Sequence, residues 1–263
     1  MGKHFKKKDK KVIVLSILRI MFLIILIISV ANILKWYTDN RKNKALEQKL
    51  SEAISIENTK EQEIIYKIDF EKLKNINNQV IGWIKVEGTD IEYTIVKGND
   101  NSYYLNHNFE KEYNNAGWIF ADYRNKFDGT DKNMIIYGHN RRDNSMFGTL
   151  KNVLEEEWYN NRNNHIITLV TENKTYKYQV FSVYEIENEE YYINTEFENN
   201  EFKEFINTLK ARSITNFNVE VTEEDNILTL STCGDNNKYR VVLHAVNGDG
   251  DFWPTFCAMI EYL

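Results

Sequence analysis

The chain has 263 residues, of which 42% are hydrophobic and 13% aromatic, so it can bury a core in one or two domains. Its formal net charge is −6, but residues 1–11 contain six lysines and one aspartate (+5), which leaves −11 on the remainder. An acidic body with a basic tip argues against nucleic acid as a partner and is typical of a membrane topology signal. The two cysteines, Cys233 and Cys257, are too few for a disulfide framework.

A long apolar segment follows the basic tip. Residues 12–34 contain a single charged residue, Arg19, and roughly 20 apolar residues suffice to cross the hydrocarbon core as a helix. We predict a cytoplasmic tip at residues 1–11 and a transmembrane signal-anchor at residues 12–34, with the rest of the chain extracellular because lysines precede the span. The sequence Ser29-Val30-Ala31 leaves a cleaved signal peptide as an alternative. Both interpretations export the remainder of the chain.

The exported part begins with a polar segment. Residues 35–63 are predicted to form a polar helical stalk or a helix that lies on the domain. The apolar side chains of this segment have helical spacing: Leu46, Leu50, Ala53 and Ile54. The globular domain is predicted over residues 64–247, and residues 248–263 form a C-terminal tail of unknown role.

Short stretches rich in β-branched and aromatic residues dominate the domain. They predict a hairpin at 81–96, strands at 117–123 and 133–140, a hairpin at 165–186 that turns at 172–174, and strands at 227–233 and 238–246. Helices are predicted at 69–75, 146–154 and 198–212, the last with one apolar stripe. About eight short strands with a few inserted helices indicate a mainly β fold, a barrel or a sandwich, with Trp83 and Trp118 in its core.

Motifs for cofactors and metals are missing from the sequence. There is no P-loop, and Gly248-x-Gly250 lacks the third glycine of a dinucleotide site. The five histidines have no partners at zinc-site spacing. We therefore predict neither a metal site nor a cofactor.

Three residues at strand ends could carry chemistry together. Cys233 ends the apolar run TLSTC, and His139 ends the run MIIYGH. Arg240 lies early in the strand that follows Cys233, where a buried charge is costly unless it has a partner or a function. A thiol needs a histidine within reach to perform acyl transfer. Each residue also has an ordinary interpretation: a buried thiol, a loop histidine and a structural salt bridge.

These residues carry a resemblance to the sortase family. The string LSTC, an arginine in the next strand and YGHN about ninety residues upstream resemble the sortase pattern, and the similarity covers roughly residues 64–246. The resemblance implies an N-terminal membrane anchor and an eight-stranded β-barrel with inserted helices. It also implies that Cys233 is the nucleophile, His139 the proton-transfer partner and Arg240 the oxyanion stabiliser.

The insertion before the cysteine strand resembles class B sortases. About forty residues, including the helix at 198–212, separate the strand that ends near 186 from the strand that begins at 227. By matching positions, the class B resemblance implies a set of substrate-groove residues: Asn101, Leu105, Tyr137 and Ser231. The resemblance also implies that Asp235, two residues after the cysteine, is an accessory catalytic residue.

The resemblance implies a transpeptidation at the cell surface. Cys233 would cleave a C-terminal sorting signal of secreted proteins after a threonine and form a thioacyl-enzyme. An amine of the peptidoglycan cross-bridge, or of its lipid-linked precursor, would then take the acyl group. Two alternatives remain open at this point: a secreted cysteine peptidase that uses water as the acceptor, and a non-enzymatic surface-binding domain whose Cys and His are core residues.

Overall fold

The computed structural model describes residues 10–58, 64–187, 189–198, 200–233 and 238–248, with the backbone alone at residues 10 and 233. The chain divides into two units, one that ends at Lys44 and one that begins at Ala45. Both units share one long helix, α1 (Lys10–Ser51).

The described part of the first unit is helix α1 up to Lys44, which includes the apolar residues 12–34. Every residue from 11 to 38 is exposed, including the large side chains of Phe22 and Leu26. The helix is long and apolar enough to cross a membrane, and its backbone hydrogen bonds are satisfied internally, as hydrocarbon requires. This helix fits the predicted membrane anchor.

The start of the second unit differs in part from the predicted stalk. Leu46, Leu50 and Ala53 are buried in the main core, as expected for a helix that lies on the domain. The helix ends at Ser51, however, and an antiparallel hairpin follows, formed by β1 (Ile54–Asn58) and β2 (Ile64–Ile68). β-Branched residues at 54 and 56 favour an extended backbone, which explains why the helical pattern does not continue.

The remaining strands close into a barrel of eight. They are β3 (Val80–Val86), β4 (Glu92–Val96), β5 (Phe120–Ala121), β6 (Asn133–His139), β7 (Ile166–Thr171), β8 (Thr175–Glu187), β9 (Ile227–Cys233) and β10 (Tyr239–Asn247). The order around the barrel is β10-β8-β7-β3-β4-β5-β6-β9, in which the β4–β5 and β6–β9 pairs are parallel and the others antiparallel. The eight-stranded barrel is thereby confirmed, and so are both predicted hairpins, β3–β4 and β7–β8.

The barrel core contains the aromatic residues that the sequence assigned to it. Trp83 and Trp118 are almost completely buried, and the Trp118 indole nitrogen donates to the Thr94 carbonyl at 2.9 Å. Phe109 packs edge-on against Trp118, with ring centroids 5.7 Å apart. A buried indole that satisfies its N–H contributes its full apolar area to the core.

Helix α2 (Phe70–Ile76) precedes the barrel, and α3 (Glu156–Tyr159) and α4 (Glu201–Arg212) are inserted in it. The apolar stripe of α4 packs into a second core cluster with the outer faces of β8 and β10. Its members are all buried, as predicted: Phe202, Phe205, Ile206 and Leu209.

Two predicted elements are shorter than expected, each for a local conformational reason. The strand expected at 117–123 pairs only at Phe120–Ala121, because Gly117 has φ +61° and turns the chain. The helix expected at 146–154 is a 3₁₀ helix over Leu150–Leu154 only. Asn144 and Met146 have φ of 63° and 55°, which a right-handed helix does not allow.

Candidate active site

Adjacent strands bring the three predicted catalytic positions to one end of the barrel. β6 and β9 are parallel, and their register pairs His139 with Cys233, the last residue of each strand. β10 is antiparallel to β9, with Val242 opposite Ser231. Cys233 lies two residues after Ser231, and Arg240 lies two residues before Val242, so both are at the same end of the barrel. The β9–β10 pairs end at Val242 and Ser231, and the same register continued by two residues places Arg240 opposite Cys233. Since neighbouring strands are about 4.8 Å apart, the three backbone positions then form one row across the sheet.

The His139 ring is oriented by a backbone carbonyl from a distant segment. Its Nε2 lies 2.7 Å from the Leu105 carbonyl oxygen, which can only accept a hydrogen bond. Nε2 therefore carries a proton, and Nδ1 is the nitrogen left to exchange one. The His139 backbone is held as well, because its carbonyl accepts from the Phe147 N–H at 3.0 Å.

The surroundings of His139 favour its neutral form. Partial burial lowers the pKa of His139 below its ordinary value, the hydrogen bond to Leu105 opposes this change, and the positive charges of Arg141 and Arg240 lower the pKa further. At neutral pH the imidazole is therefore a base with a free lone pair.

Gly117 allows the close approach that orients His139. A Cβ atom there would lie 2.5 Å from the Tyr104 carbonyl oxygen, 2.8 Å from that of Leu105 and 3.1 Å from His139 Cδ2. Its positive φ is also one that a side chain disfavours. Only glycine therefore fits between the carbonyl that orients the histidine and the histidine itself.

Among the residues that the structure describes, Arg240 has no salt-bridge partner. It is half-buried, and its Nη1 donates a long bond of 3.4 Å to the Tyr239 carbonyl. Within the part of the chain that the structure describes, no carboxylate lies at ion-pair distance from its guanidinium. A half-buried cation without a carboxylate partner is available to an anionic group of a substrate or an intermediate.

The four predicted groove residues take part in three separate sets of hydrogen bonds near these positions. Leu105 is the residue whose carbonyl binds His139. Asn101 and Tyr137 meet at Asp122, to which the amide donates at 2.9 Å and the phenol at 2.8 Å. Ser231 is buried, and its hydroxyl is 3.0 Å from that of Tyr192. Asp235, the predicted accessory residue, and Cys257 lie outside the described residues.

Sequence reasoning missed one charged pair beside the groove. The Asp122 carboxylate is fully buried and forms a bidentate ion pair with Arg124, with Nη2 to Oδ2 at 2.7 Å and Nε to Oδ1 at 2.8 Å. Asp122 directly follows the apolar run GWIFA, and Arg124 lies two residues later. A carboxylate and an arginine at this spacing after a strand were the available signal.

Known proteins share both the sequence and the fold of this chain. Residues 84–247 match the family model described as the sortase domain. The chain is 36% identical over 222 residues to Sortase B of Staphylococcus aureus, covering 84% of this chain and 90% of that protein. The crystal structure of sortase B from B. anthracis in complex with AAEK1 is similar, with a TM-score of 0.70, 33% identity and coverage of 80% of this chain and 98% of that one. Sortase B of Clostridium perfringens has a TM-score of 0.65 and 37% identity, and the match covers 69% of this chain and 100% of that one.

Proposed function

Because this chain belongs to the sortase family and its relatives are class B sortases, we propose that it cleaves a C-terminal sorting signal of secreted proteins after a threonine and joins the new C-terminus to a cell-wall amine. Family membership by itself implies a cysteine transpeptidase that acts on proteins with sorting signals. The observation that carries the finer proposal is the row of His139, Cys233 and Arg240 at the ends of β6, β9 and β10.

In the first half of the proposed reaction, the Cys233 thiol gives its proton to Nδ1 of His139, and its sulfur attacks the carbonyl carbon of the threonine. The carbonyl electrons move onto oxygen, and the Arg240 guanidinium stabilises that oxyanion. The intermediate collapses when the C–N bond breaks, and His139 donates a proton to the departing amine. A thioacyl-enzyme on Cys233 and a free C-terminal peptide result.

In the second half, an amine of the peptidoglycan cross-bridge or its lipid-linked precursor attacks the thioester. His139 accepts a proton from the amine, the C–S bond breaks and a new amide forms. The departing Cys233 sulfur then takes this proton from His139, which restores the thiol and the neutral imidazole. The Leu105 carbonyl supports this role, because it keeps Nε2 protonated and leaves Nδ1 to carry the exchanged proton. Water in place of the amine would give hydrolysis as a side reaction.

Product analysis with and without an acceptor amine tests this proposal. The detergent-solubilised full-length chain is incubated with sorting-signal peptides that contain threonine, with triglycine present or absent, and the products are identified by mass. We expect the N-terminal peptide fragment to gain the mass of triglycine less one water. Cleavage that yields only the free acid in both arms would indicate a peptidase, and no cleavage of any peptide would contradict both enzyme assignments.

We further propose that α1 anchors the chain with its N-terminus in the cytoplasm and its barrel outside. The apolar length of α1 and the lysines of residues 1–11 support this orientation. In intact cells, external protease should therefore remove a C-terminal epitope tag and leave an N-terminal tag protected. Protection of the C-terminal tag, or full-length protein free in the medium, would contradict the proposed topology.

A further inference from the structure

The Asp122 carboxylate is a buried junction between segments that are far apart in sequence. It directly follows β5 and accepts five hydrogen bonds from described residues. Three of them come from Arg124, through its backbone N–H, Nε and Nη2, at 2.7–3.0 Å. The other two come from Asn101 and Tyr137 and converge on Oδ2. Hydrogen bonds to a buried charge are short and strong, so this junction is rigid.

The charges at this junction are stable across the working pH range. Burial raises the pKa of Asp122, but the hydrogen bonds from Arg124 and Tyr137 outweigh it and leave the pKa below its ordinary value. Burial, together with the charge of Asp122, raises the pKa of Tyr137, so the phenol remains protonated and donates. Asp122 is therefore an anion that acts as a fixed acceptor.

Two of the residues that donate to Asp122, Asn101 and Tyr137, connect it to His139. Asn101 lies just before the 3₁₀ helix Tyr103–Leu105, at whose end the Leu105 carbonyl binds His139 Nε2. The Asn101 Oδ1 also accepts from the Tyr123 N–H at 3.0 Å, which ties this segment to the residue after Asp122. On β6, Tyr137 is two residues before His139. The carboxylate therefore holds both the strand that carries the histidine and the segment that orients it.

The third donor to Asp122, Arg124, connects it to the strand that carries Cys233. The Arg124 Nη2 that binds Asp122 also donates to the Ile193 carbonyl at 2.9 Å. The adjacent Tyr192 places its hydroxyl 3.0 Å from that of Ser231, two residues before Cys233 on β9. Through Arg124, the same carboxylate thus fixes the segment between β8 and α4 that packs against the cysteine strand.

We propose that Asp122, together with Arg124, is a positioning residue for the transpeptidation, and that it sets the spacing between the His139 side and the Cys233 side of the substrate groove. This inference rests on the proposed function. In this proposal neither Asp122 nor Arg124 touches the reacting atoms, and both act through the residues that they hold. A displacement of reacting groups by about 1 Å can cost about a hundredfold in rate, which is how a junction outside the reaction centre can control turnover.

Asp122→Asn tests the proposal. Asparagine keeps the size of the side chain but removes the charge. In either orientation its NH₂ group faces donors that now bind Oδ1 or Oδ2. For the full-length chain with a sorting peptide and triglycine, we expect kcat/KM to fall by about a hundredfold, with KM raised and kcat lowered. The rate at which a small alkylating agent modifies Cys233 should fall much less than kcat/KM, because alkylation does not need the groove to hold a peptide.

A matched control is Asp131→Asn. Asp131 accepts from the backbone N–H groups of Lys126 and Phe127 and contacts none of the predicted groove residues. We expect it to lower the melting temperature while kcat and KM stay near wild type. If Asp122→Asn behaves in the same way as Asp131→Asn, Asp122 is only structural and the proposal is overturned.

Arg124→Gln supplies a second variant in case Asp122→Asn does not fold. The Arg124 side chain is 35% exposed, so its replacement is tolerated more easily, and it breaks the link to Ile193. We expect KM to rise several-fold, and unchanged kinetic constants would overturn the proposal. Failure of the proposed function is a different result: the wild-type chain would then join no peptide to triglycine.

Discussion

Replacement of Cys233 by alanine is expected to abolish both peptide cleavage and triglycine transfer, while the melting temperature stays close to that of the wild type. Without the thiol no thioacyl-enzyme can form, and His139 and Arg240 have no nucleophile to assist. Removal of the nucleophile costs on the order of a millionfold in a serine protease, so residual activity should fall into the background. Product mass and thermal melting on the same preparation are the measurements.

A trapped intermediate makes this test specific. Wild-type chain mixed with a sorting peptide in the absence of triglycine should gain the mass of the acyl fragment, and the adduct should be released by triglycine. Cys233→Ala should gain none. Cleavage by Cys233→Ala at a rate near wild type would show that the nucleophile is elsewhere.

Cys257→Ser is the matched control, since it removes the other thiol of the chain. Cys257 lies outside the region that matches the sortase domain, residues 84–247. We expect unchanged turnover, and the acyl group should add the same mass to this variant as to the wild-type chain. Loss of activity in this variant would point to a disulfide between the two cysteines or to a second reactive thiol.

Local patterns predicted most of the barrel. Alternating β-branched and aromatic residues, with turn residues between them, defined β3, β4, β7 and β8, and the apolar stripe of α4 showed its buried face. The row of His139 and Cys233 could be anticipated as well, because each residue ends an apolar strand and the two strands belong to one sheet. These features depend on neighbours in sequence or on a strand end.

Features that depend on distant contacts could not be predicted. The Leu105 carbonyl that orients His139 is 34 residues away in sequence, and Arg124 binds Ile193 across 69 residues. No local pattern reveals such a hydrogen bond. Met146 was misassigned for a similar reason: its backbone N–H donates to the Tyr93 hydroxyl in the core, 53 residues away, and it has a positive φ that its side chain alone does not predict.

Arg240→Ala is expected to lower kcat by about a hundred- to a thousandfold while KM changes little. The guanidinium would meet a charge that exists only in the tetrahedral intermediates, so its loss raises the barrier more than it weakens binding. Loss of one oxyanion donor typically costs about 3–4 kcal/mol of transition-state stabilisation. Arg240→Lys keeps the charge but not the planar fork, and should restore only part of the lost rate.

The pKa of His139 offers a readout that does not depend on turnover. After partial burial and the charge of Arg141, the charge of Arg240 is a further cause that lowers this pKa. Arg240→Ala should therefore move the pKa of His139 upward, toward its ordinary value, and Arg240→Lys should leave it nearer to that of the wild type. An NMR titration of the His139 ring protons measures the change.

Lys238→Ala is the matched control for Arg240→Ala, and it decides between a catalytic and a structural arginine. Lys238 lies two residues earlier, is mostly exposed and pairs with Glu187 at 3.4 Å, so its loss should change neither kcat nor the melting temperature appreciably. A structural Arg240 would instead lower the melting temperature and reduce activity in step with unfolding. A variant that melts early but turns over at the wild-type rate while folded would refute the oxyanion role. The half-buried guanidinium, with no carboxylate partner among the described residues, leads us to expect the opposite result: normal melting and slow turnover.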